Sequence, residues 1–301
     1  MDITIGTESI PALTGKYAVV TGGSSGIGLA CVQMLAERNM AYVLILDTQT
    51  PPPGVLSATV RFERCDISTW TQLRAAFATL PRVDMVFANA ACGQGGDPLA
   101  DRFGDDGELL EPPQAAIDIN FRGALNTAVL GIRAMRRQQS GGSVVFTSSA
   151  TAYSSEKGLM IYGAQKLAIV GLVRGWRHML MKENITVNAV APACTISGLM
   201  PEETAKGLAE KGLQVSGPRH VALALIWSAT ASEDTRVEAY GKERDEDNES
   251  LRGRWNGRVI LTIGDRYTEV EEKVERLKGE WFGQRNLADT RTGQRTTEGM
   301  F

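Results

Sequence analysis

The sequence predicts a doubly wound α/β fold on a seven-stranded parallel sheet, and two observations predict it. Seven short runs are apolar at nearly every position, as strands are when helices cover both faces of a parallel sheet. Stretches of helical character separate these runs, and strand–helix alternation gives a wound sheet rather than a sandwich.

The elements follow in chain order. "YAVVT" (Tyr17 to Thr21) is the first strand and leads into a helix from about Gly26 to Arg38. "YVLIL" is the second; it ends at Asp47, before the Pro-rich turn "TPPPG". "VRFER" is the third, followed by a helix near Thr71 to Thr79. "MVFAN" is the fourth and precedes a long loop, then a helix from about Gln114 to Gln139. "SVVFTS" is the fifth and leads to an apolar helix, Leu159 to Lys182. "ITVNAV" and "RVILTI" are the last two. One domain, residues 1–265, holds all seven, interrupted by a densely charged surface insertion at 232–254. In the segment 266–301, Val270, Val274, Leu277 and Trp281 recur at helical spacing and predict an amphipathic helix. The polar residues from Gln284 onward are expected to form a loose tail.

Composition removes several classes of function. The chain has 301 residues, 43% hydrophobic and 22% charged, with a net charge of -3, so no basic field draws it to nucleic acid or anionic lipid. Its longest apolar run is too short to cross a membrane. The acidic opening has no signal-peptide core, and "EGMF" matches no retention or prenylation address, so a cytoplasmic protein is expected. Cys31, Cys65, Cys92 and Cys194 are scattered without CxxC spacing, and His178 and His220 are the only imidazoles. Neither a disulfide framework, nor a metal site, nor a Ser-His-Asp triad is expected from that supply.

Two motifs carry chemistry. "VVTGGSSGIGLA" places Gly22, Gly26 and Gly28, with Ser25 and Ile27 between them, at the junction of the first strand and first helix. The first glycine lets the chain turn sharply; the later ones let a helix N-terminus approach a pyrophosphate, where free N–H groups and the helix dipole favour anions. Asp47 lies nineteen residues after Gly28. A carboxylate there accepts hydrogen bonds from ribose hydroxyls and repels a 2′-phosphate by about 3 kcal/mol per charge at ~5 Å and an effective dielectric of ~20. No Lys or Arg follows it in "DTQTPPPG", which favours NAD over NADP as cofactor. The second motif is "LMIYGAQKLAIV", where Tyr162 and Lys166 are four residues apart and share a helix face. A fixed ammonium favours phenolate, and a tyrosine so tuned exchanges a proton with an alcohol or ketone near neutral pH.

The chain resembles the short-chain dehydrogenase/reductase family, in its branch with a single Rossmann domain. The resemblance runs from about Leu13 to Gly264 and is carried by "TGGSSGIG", "CDIS", "ANAA", "IDINFRG", "FTSSATAYSSEKGLMIYGAQK" and "NAVAPACTIS". It implies that Tyr162 is the acid/base and that Lys166 holds the nicotinamide ribose and depresses the tyrosine pKa. It further implies that Ser149, thirteen residues before Tyr162, binds the substrate oxygen; the same spacing decides against Ser148. Asn120 would complete the tetrad and anchor a water. For the cofactor, the resemblance implies Asp66 and Ile67 at the adenine, Asn89 beside the fourth strand, Pro192 to Ser197 over the nicotinamide with Thr195 and Ser197 in contact, and Arg122 as a basic neighbour. Two departures stand out: the usual N-N-A-G reads Ala88, Asn89, Ala90, Ala91, and the usual P-G reads Pro192, Ala193. Alanine restricts φ where glycine does not, which puts the loop geometry in question.

Ligands in such folds sit beyond the carboxyl ends of the strands. Tyr153, Leu159, Met160, Leu199 and Met200 would make an apolar substrate pocket there, with no clamp for a carboxylate or phosphate. A lipophilic cyclic or polycyclic alcohol or ketone is the expected substrate, and the wording "ANAACG" and "VAPACTI" resembles fungal enzymes of specialised metabolism. The alternatives are an NADPH-dependent ketoreductase and a non-redox isomerase or cyclase of the same fold. A homodimer or homotetramer is expected through the two long helices, with Leu167, Val170 and Val173 as apolar positions to spare.

Overall fold

Alternate residues of each central strand face opposite ways, and each set meets its own helices. The computed structural model describes residues 1–232 and 253–297. The charged insertion lies outside the described residues except at its ends, where Ser232 and Arg254 form an antiparallel bridge. Strands β1 (Asp2–Ile3), β2 (Tyr17–Thr21), β3 (Tyr42–Asp47), β4 (Val60–Arg64), β5 (Met85–Ala88), β6 (Gly142–Thr147), β7 (Ile185–Pro192), β8 (Val259–Ile263) and β9 (Arg266–Glu269) form one sheet. Their order is β1-β9-β8-β7-β6-β5-β2-β3-β4. The seven expected strands are β2 to β8, and every pairing among them is parallel. Two short strands are added: β9 returns antiparallel against β8, and β1 pairs antiparallel with β9.

The helices are α1 (Gly26–Glu37), α2 (Trp70–Ala78), α3 (Ala115–Ile117), α4 (Ala124–Gln138), α5 (Met160–Met179), α6 (Glu202–Ala209), α7 (Pro218–Thr230), α8 (Glu271–Arg276) and α9 (Gln284–Thr296). Ala18, Val20, Val43 and Ile45 pack with α1 and α7 on one face, while Val19, Leu44, Leu46 and Val86 pack with α2, α4 and α5 on the other. This division is the physical content of double winding. Among the described residues no helix is long and apolar enough to cross a membrane.

Three expectations need correction. Gln284 onward is not loose: Gln284–Thr296 is helical, and Asn286 Nδ2, Thr292 and Thr296 hydroxyls bond the carbonyls one turn before them. Polar side chains satisfied by their own helix need no core behind them. Second, α5 does not have Val170 and Val173 to spare. Both are fully buried against the sheet, and Leu167 alone of the three is on the surface, because positions 166, 169, 170 and 173 share the inward face. Third, the four apolar positions of the tail do not share one regular helix: α8 spans only Glu271–Arg276, with Val270 and Leu277 at its caps, and Trp281 lies in the π-helical stretch Gly279–Gly283, 61% exposed.

Candidate active site

The winding reverses between β2 and β5, and the carboxyl ends of the strands beside that point carry the residues of interest. After β2 the chain turns at Gly22, whose φ of +67° suits glycine, and a Cβ there would lie 2.8 Å from the Ala90 backbone. Gly28 is pinned from the other side: a Cβ would sit 2.1 Å from the Gly22 carbonyl oxygen. The loop therefore folds tightly onto the first turn of α1. Ser25 occupies the N-cap position without a side-chain bond to the helix, so the first N–H groups of α1, including those near Gly26 and Ile27, lack a side-chain cap. Asn89 stitches this loop to the sheet: its Nδ2 donates to the carbonyls of Thr21 and Gly22, and its Oδ1 accepts from the Thr147 hydroxyl at 3.0 Å. Uncapped helix donors beside a cradle too tight for a Cβ fit a nucleotide pyrophosphate.

Asp47 closes β3 and accepts two backbone N–H bonds, from Ser24 and Gln49, both at 3.0 Å. Across the β3–β4 pair its register partner is Arg64, whose guanidinium bonds the Thr48 carbonyl and, at 3.4 Å, the Thr50 hydroxyl. A base absent from the local sequence thus arrives from the next strand. Asp66 accepts from the Ser68 N–H and hydroxyl, which shapes the turn after β4. Ile67 is buried against Gly123, where a Cβ would come within 2.8 Å of it.

The proton-transfer candidates converge beside β6. Ser149 is the N-cap of a single helical turn, Ala150–Ala152; its hydroxyl accepts from Thr151 N–H at 3.2 Å and donates to the Pro192 carbonyl at 3.4 Å. Ser148 spends its hydroxyl on the Lys166 carbonyl at 2.8 Å, deep in the protein. Lys166 is 2% exposed; its ammonium lies 5.4 Å from the Tyr162 ring centroid and donates to the Thr147 carbonyl at 2.8 Å. Burial pulls that ammonium down to about 8, with the neighbouring Cys92 acting against it. The expected depression of the Tyr162 pKa is not found. Burial dominates and raises the phenol above its ordinary value; the neighbouring Ser149 hydroxyl opposes this, and Cys92 adds to it. Lys166 faces the ring and donates its hydrogen bond to the Thr147 carbonyl instead.

Asn120 lies in a wide turn, Asp118–Gly123, with π-helical bonding between α3 and α4. Such bulges interrupt a helix ladder and re-aim a side chain. Asn120 accepts from Cys92 N–H at 2.8 Å and donates to the Cys92 carbonyl and to Gln165 Oε1, each at 2.9 Å. Arg122, from the same turn, pairs with Asp118 at 3.0 Å on a surface where it is half exposed.

Sequence reasoning misses Gln94 and Gln165. Gln94 Oε1 accepts from the Ile161 and Tyr162 N–H groups, so the loop after β5 caps α5 from outside. The signal was an absence: Leu159 at the N-cap cannot serve the helix's first donors, so a partner from elsewhere was required. Tyr153 was expected as an apolar wall, but its hydroxyl donates to Glu271 at 2.7 Å.

The sequence model of the family described as short chain dehydrogenase matches residues 16–215. The chain belongs to the short-chain dehydrogenase family. Two fungal members share 44% identity with it: short-chain dehydrogenase/reductase prx4 of Penicillium roqueforti, over 98% of this chain and 89% of the relative, and ATR7 of Stachybotrys chlorohalonatus, over 97% and 92%. The mitochondrial (-)-isopiperitenol/(-)-carveol dehydrogenase of Mentha piperita is 30% identical over 64% of this chain and 74% of its own length. A crystal structure of a short-chain type dehydrogenase/reductase from Mycobacterium marinum superimposes with a TM-score of 0.66 at 22% identity, covering 86% of this chain and 98% of that one, and shares the fold. This short-chain dehydrogenase is therefore an oxidoreductase of a family that uses nicotinamide nucleotides. Its two alanine departures are accommodated: neither Ala91 nor Ala193 takes a positive φ. Beyond Pro192, Thr195 bonds the Ala193 carbonyl and pairs with Ser216, and Ser197 lies over the glycine loop, where a Cβ on Gly26 would come within 3.0 Å of it.

Proposed function

We propose that this enzyme is an NAD-dependent dehydrogenase that interconverts a secondary alcohol and a ketone on a lipophilic cyclic substrate, in fungal specialised metabolism. The observation that carries the reading is the buried Lys166 ammonium 5.4 Å from the Tyr162 ring centroid, on the helix packed against the turn that Ser149 caps. Bound NAD supplies the hydride acceptor, and its reduced form the donor. Ser149 Oγ orients the substrate oxygen, and the Tyr162 phenol takes the alcohol proton or returns one to the ketone. Asn120, held on three bonds, and Lys166 anchor the path by which that proton leaves. The uncapped turn at Ser25 to Gly28 holds the pyrophosphate, Asp47 the adenosine ribose, and Asp66 and Ile67 border the adenine. Exposed Leu159, Met160 and Leu199 offer apolar contact to the substrate. The relative named for carveol and isopiperitenol supports an alcohol as that substrate.

The test is a screen of cyclic secondary alcohols with NAD, followed at the absorbance of the reduced nicotinamide. Tyr162→Phe is expected to remove nearly all turnover and to leave NAD affinity within about twofold, because the phenol acts in the proton step alone. Comparable turnover in the mutant would refute the assignment.

One observation favours a second reading, an NADP-using ketoreductase: Arg64 lies beyond Asp47 and carries the charge that a 2′-phosphate requires. The ratio of kcat/KM for NAD and NADP separates the two. Asp47→Ala should shift that ratio toward NADP, and Arg64→Ala should shift it back.

A further inference from the structure

Outside the residues just described, the most deeply buried carboxylate among the described residues is Glu271. It opens α8, in the C-terminal segment beyond the 16–215 span of the family model, and is 1% exposed. A carboxylate so buried persists only when its oxygens are fully bonded. Here Arg174 donates to both oxygens at 2.8 Å, Tyr153 Oη donates at 2.7 Å, and Arg177 stands 3.7 Å away.

The donors come from the two elements that present the proton-transfer pair. Tyr153 is the C-cap of the turn Ala150–Ala152, of which Ser149 is the N-cap. That turn is tight: Ala152 N–H bonds the Ser149 carbonyl and Tyr153 N–H the Ala150 carbonyl, each at 3.0 Å. It rests on α5 at Gly163, beside Tyr162, where a Cβ would lie 3.5 Å from the Thr151 carbonyl oxygen. Arg174 is on α5 itself, eight residues and just over two turns past Lys166. No other carboxylate among the described residues bonds both elements.

We propose that Glu271 is a positioning residue for catalysis: by holding Tyr153 and Arg174 together, it fixes the turn that presents Ser149 against the helix that presents Tyr162. The proposal rests on the dehydrogenase reading of those two residues. It makes the C-terminal segment part of the working site through bonds to Tyr153 and Arg174 rather than to the reacting side chains.

The test uses full-length Tyr153→Phe, which deletes one oxygen from the network, and Glu271→Gln, which keeps the shape and removes the charge. Amide hydrogen exchange is read over residues 149–154 and, as control, over β2 and β5. Turnover is read as kcat and KM, and NAD affinity by quenching of intrinsic tryptophan fluorescence. In Tyr153→Phe the 149–154 amides are expected to exchange at least about tenfold faster while β2 and β5 stay protected. We expect kcat to fall about tenfold with NAD affinity within about twofold, as displacement of a reacting group predicts. The double mutant is expected to be no slower than Glu271→Gln, since both act through one contact. Unchanged exchange in the turn, or faster exchange there with an unaltered kcat, overturns the proposal. If Glu271→Gln does not fold, Tyr153→Phe decides alone. A wild type inert toward every alcohol and ketone would overturn the dehydrogenase reading, whereas the exchange result would still decide whether Glu271 holds the turn.

Discussion

Lys166 shows what a single buried charge costs and what it allows. Its ammonium has one carbonyl partner in a site almost closed to water, and burial lowers its pKa from 10.5 to about 8. A lysine whose folded pKa is depressed binds fewer protons in the folded state than in the unfolded state between those two values. Stability therefore rises with pH across that window, and the full penalty is present below about 8. The stability of wild type relative to Lys166→Met is expected to climb between pH 8 and 10.5 by at most about 3 kcal/mol, at ~1.4 kcal/mol per pKa unit. Denaturant melts at four pH values would show it, and a pH-independent difference would refute the buried-charge account. Gly28→Ala tests the other end of the site: with 2.1 Å available to a Cβ from the Gly22 carbonyl oxygen, the loop must open. NAD affinity should fall more than about tenfold with little change in Tm, measured by titration and calorimetry. At this scale the sequence was readable where spacing alone matters. Spacing brings Ser149 and Tyr162 onto adjoining elements, the cap of the turn Ala150–Ala152 and α5, while Ser148 bonds the Lys166 carbonyl. The direction of the Tyr162 pKa was not readable, because it depends on how deeply the ring is buried and on which acceptor the Lys166 ammonium bonds.

Helix α5 is an element that cannot finish itself. It begins at Met160 after an N-cap leucine, and its first donors are met by Gln94 from a loop 67 residues earlier. Gln94→Ala is expected to cost about 1 kcal/mol, the usual worth of a cap, and to speed exchange of the Ile161 and Tyr162 amides. Unaltered exchange would show that water serves the helix equally well. The strands were legible because parallel strands are apolar on both faces. Helix α7 was not, for the same reason: eight of its thirteen residues are buried, so no polar stripe marks its period, and Pro218 at its first turn is the remaining signal. The wide turn around Asn120 leaves no mark in "IDINFRG" either, since a π-helical bond is a choice of the backbone rather than of any side chain.

At the scale of the whole molecule, the C-terminal segment is tied to the body by buried ion pairs more than by its apolar stripe. Glu269 and Glu272 meet Arg258, and Glu271 and Glu275 meet Arg174 and Arg177. A chain ending at Gly283 loses only Leu287 among the buried residues of α9 and should melt within a few degrees of the full chain. A chain ending at Thr268 removes all four carboxylates, at several kcal/mol for a broken buried pair, and should not fold. Thermal scans of both truncations distinguish this from a tail that merely rests on the surface. Assembly belongs here too. Leu167 and Met179 are 48% and 64% exposed on α5, and we expect Leu167→Arg to reduce the mass of an oligomer in sedimentation. An unchanged mass would place the contact elsewhere.

The pairing of β1 with β9 has a consequence for the making of the protein. Asp2 leaves a ribosome 266 residues ahead of its strand partner, Thr268. At roughly 5–20 residues per second that is a wait on the order of ten seconds or more. At the end of that interval β8 has no neighbour on its outer side until β9 follows the turn at Gly264 and Asp265. A nascent chain arrested between Ile263 and Arg266 thus offers an unpaired edge of "VILTI", a segment of the kind that recruits other chains. Completion of the last hairpin is then also the event that closes the sheet to its neighbours in the cell.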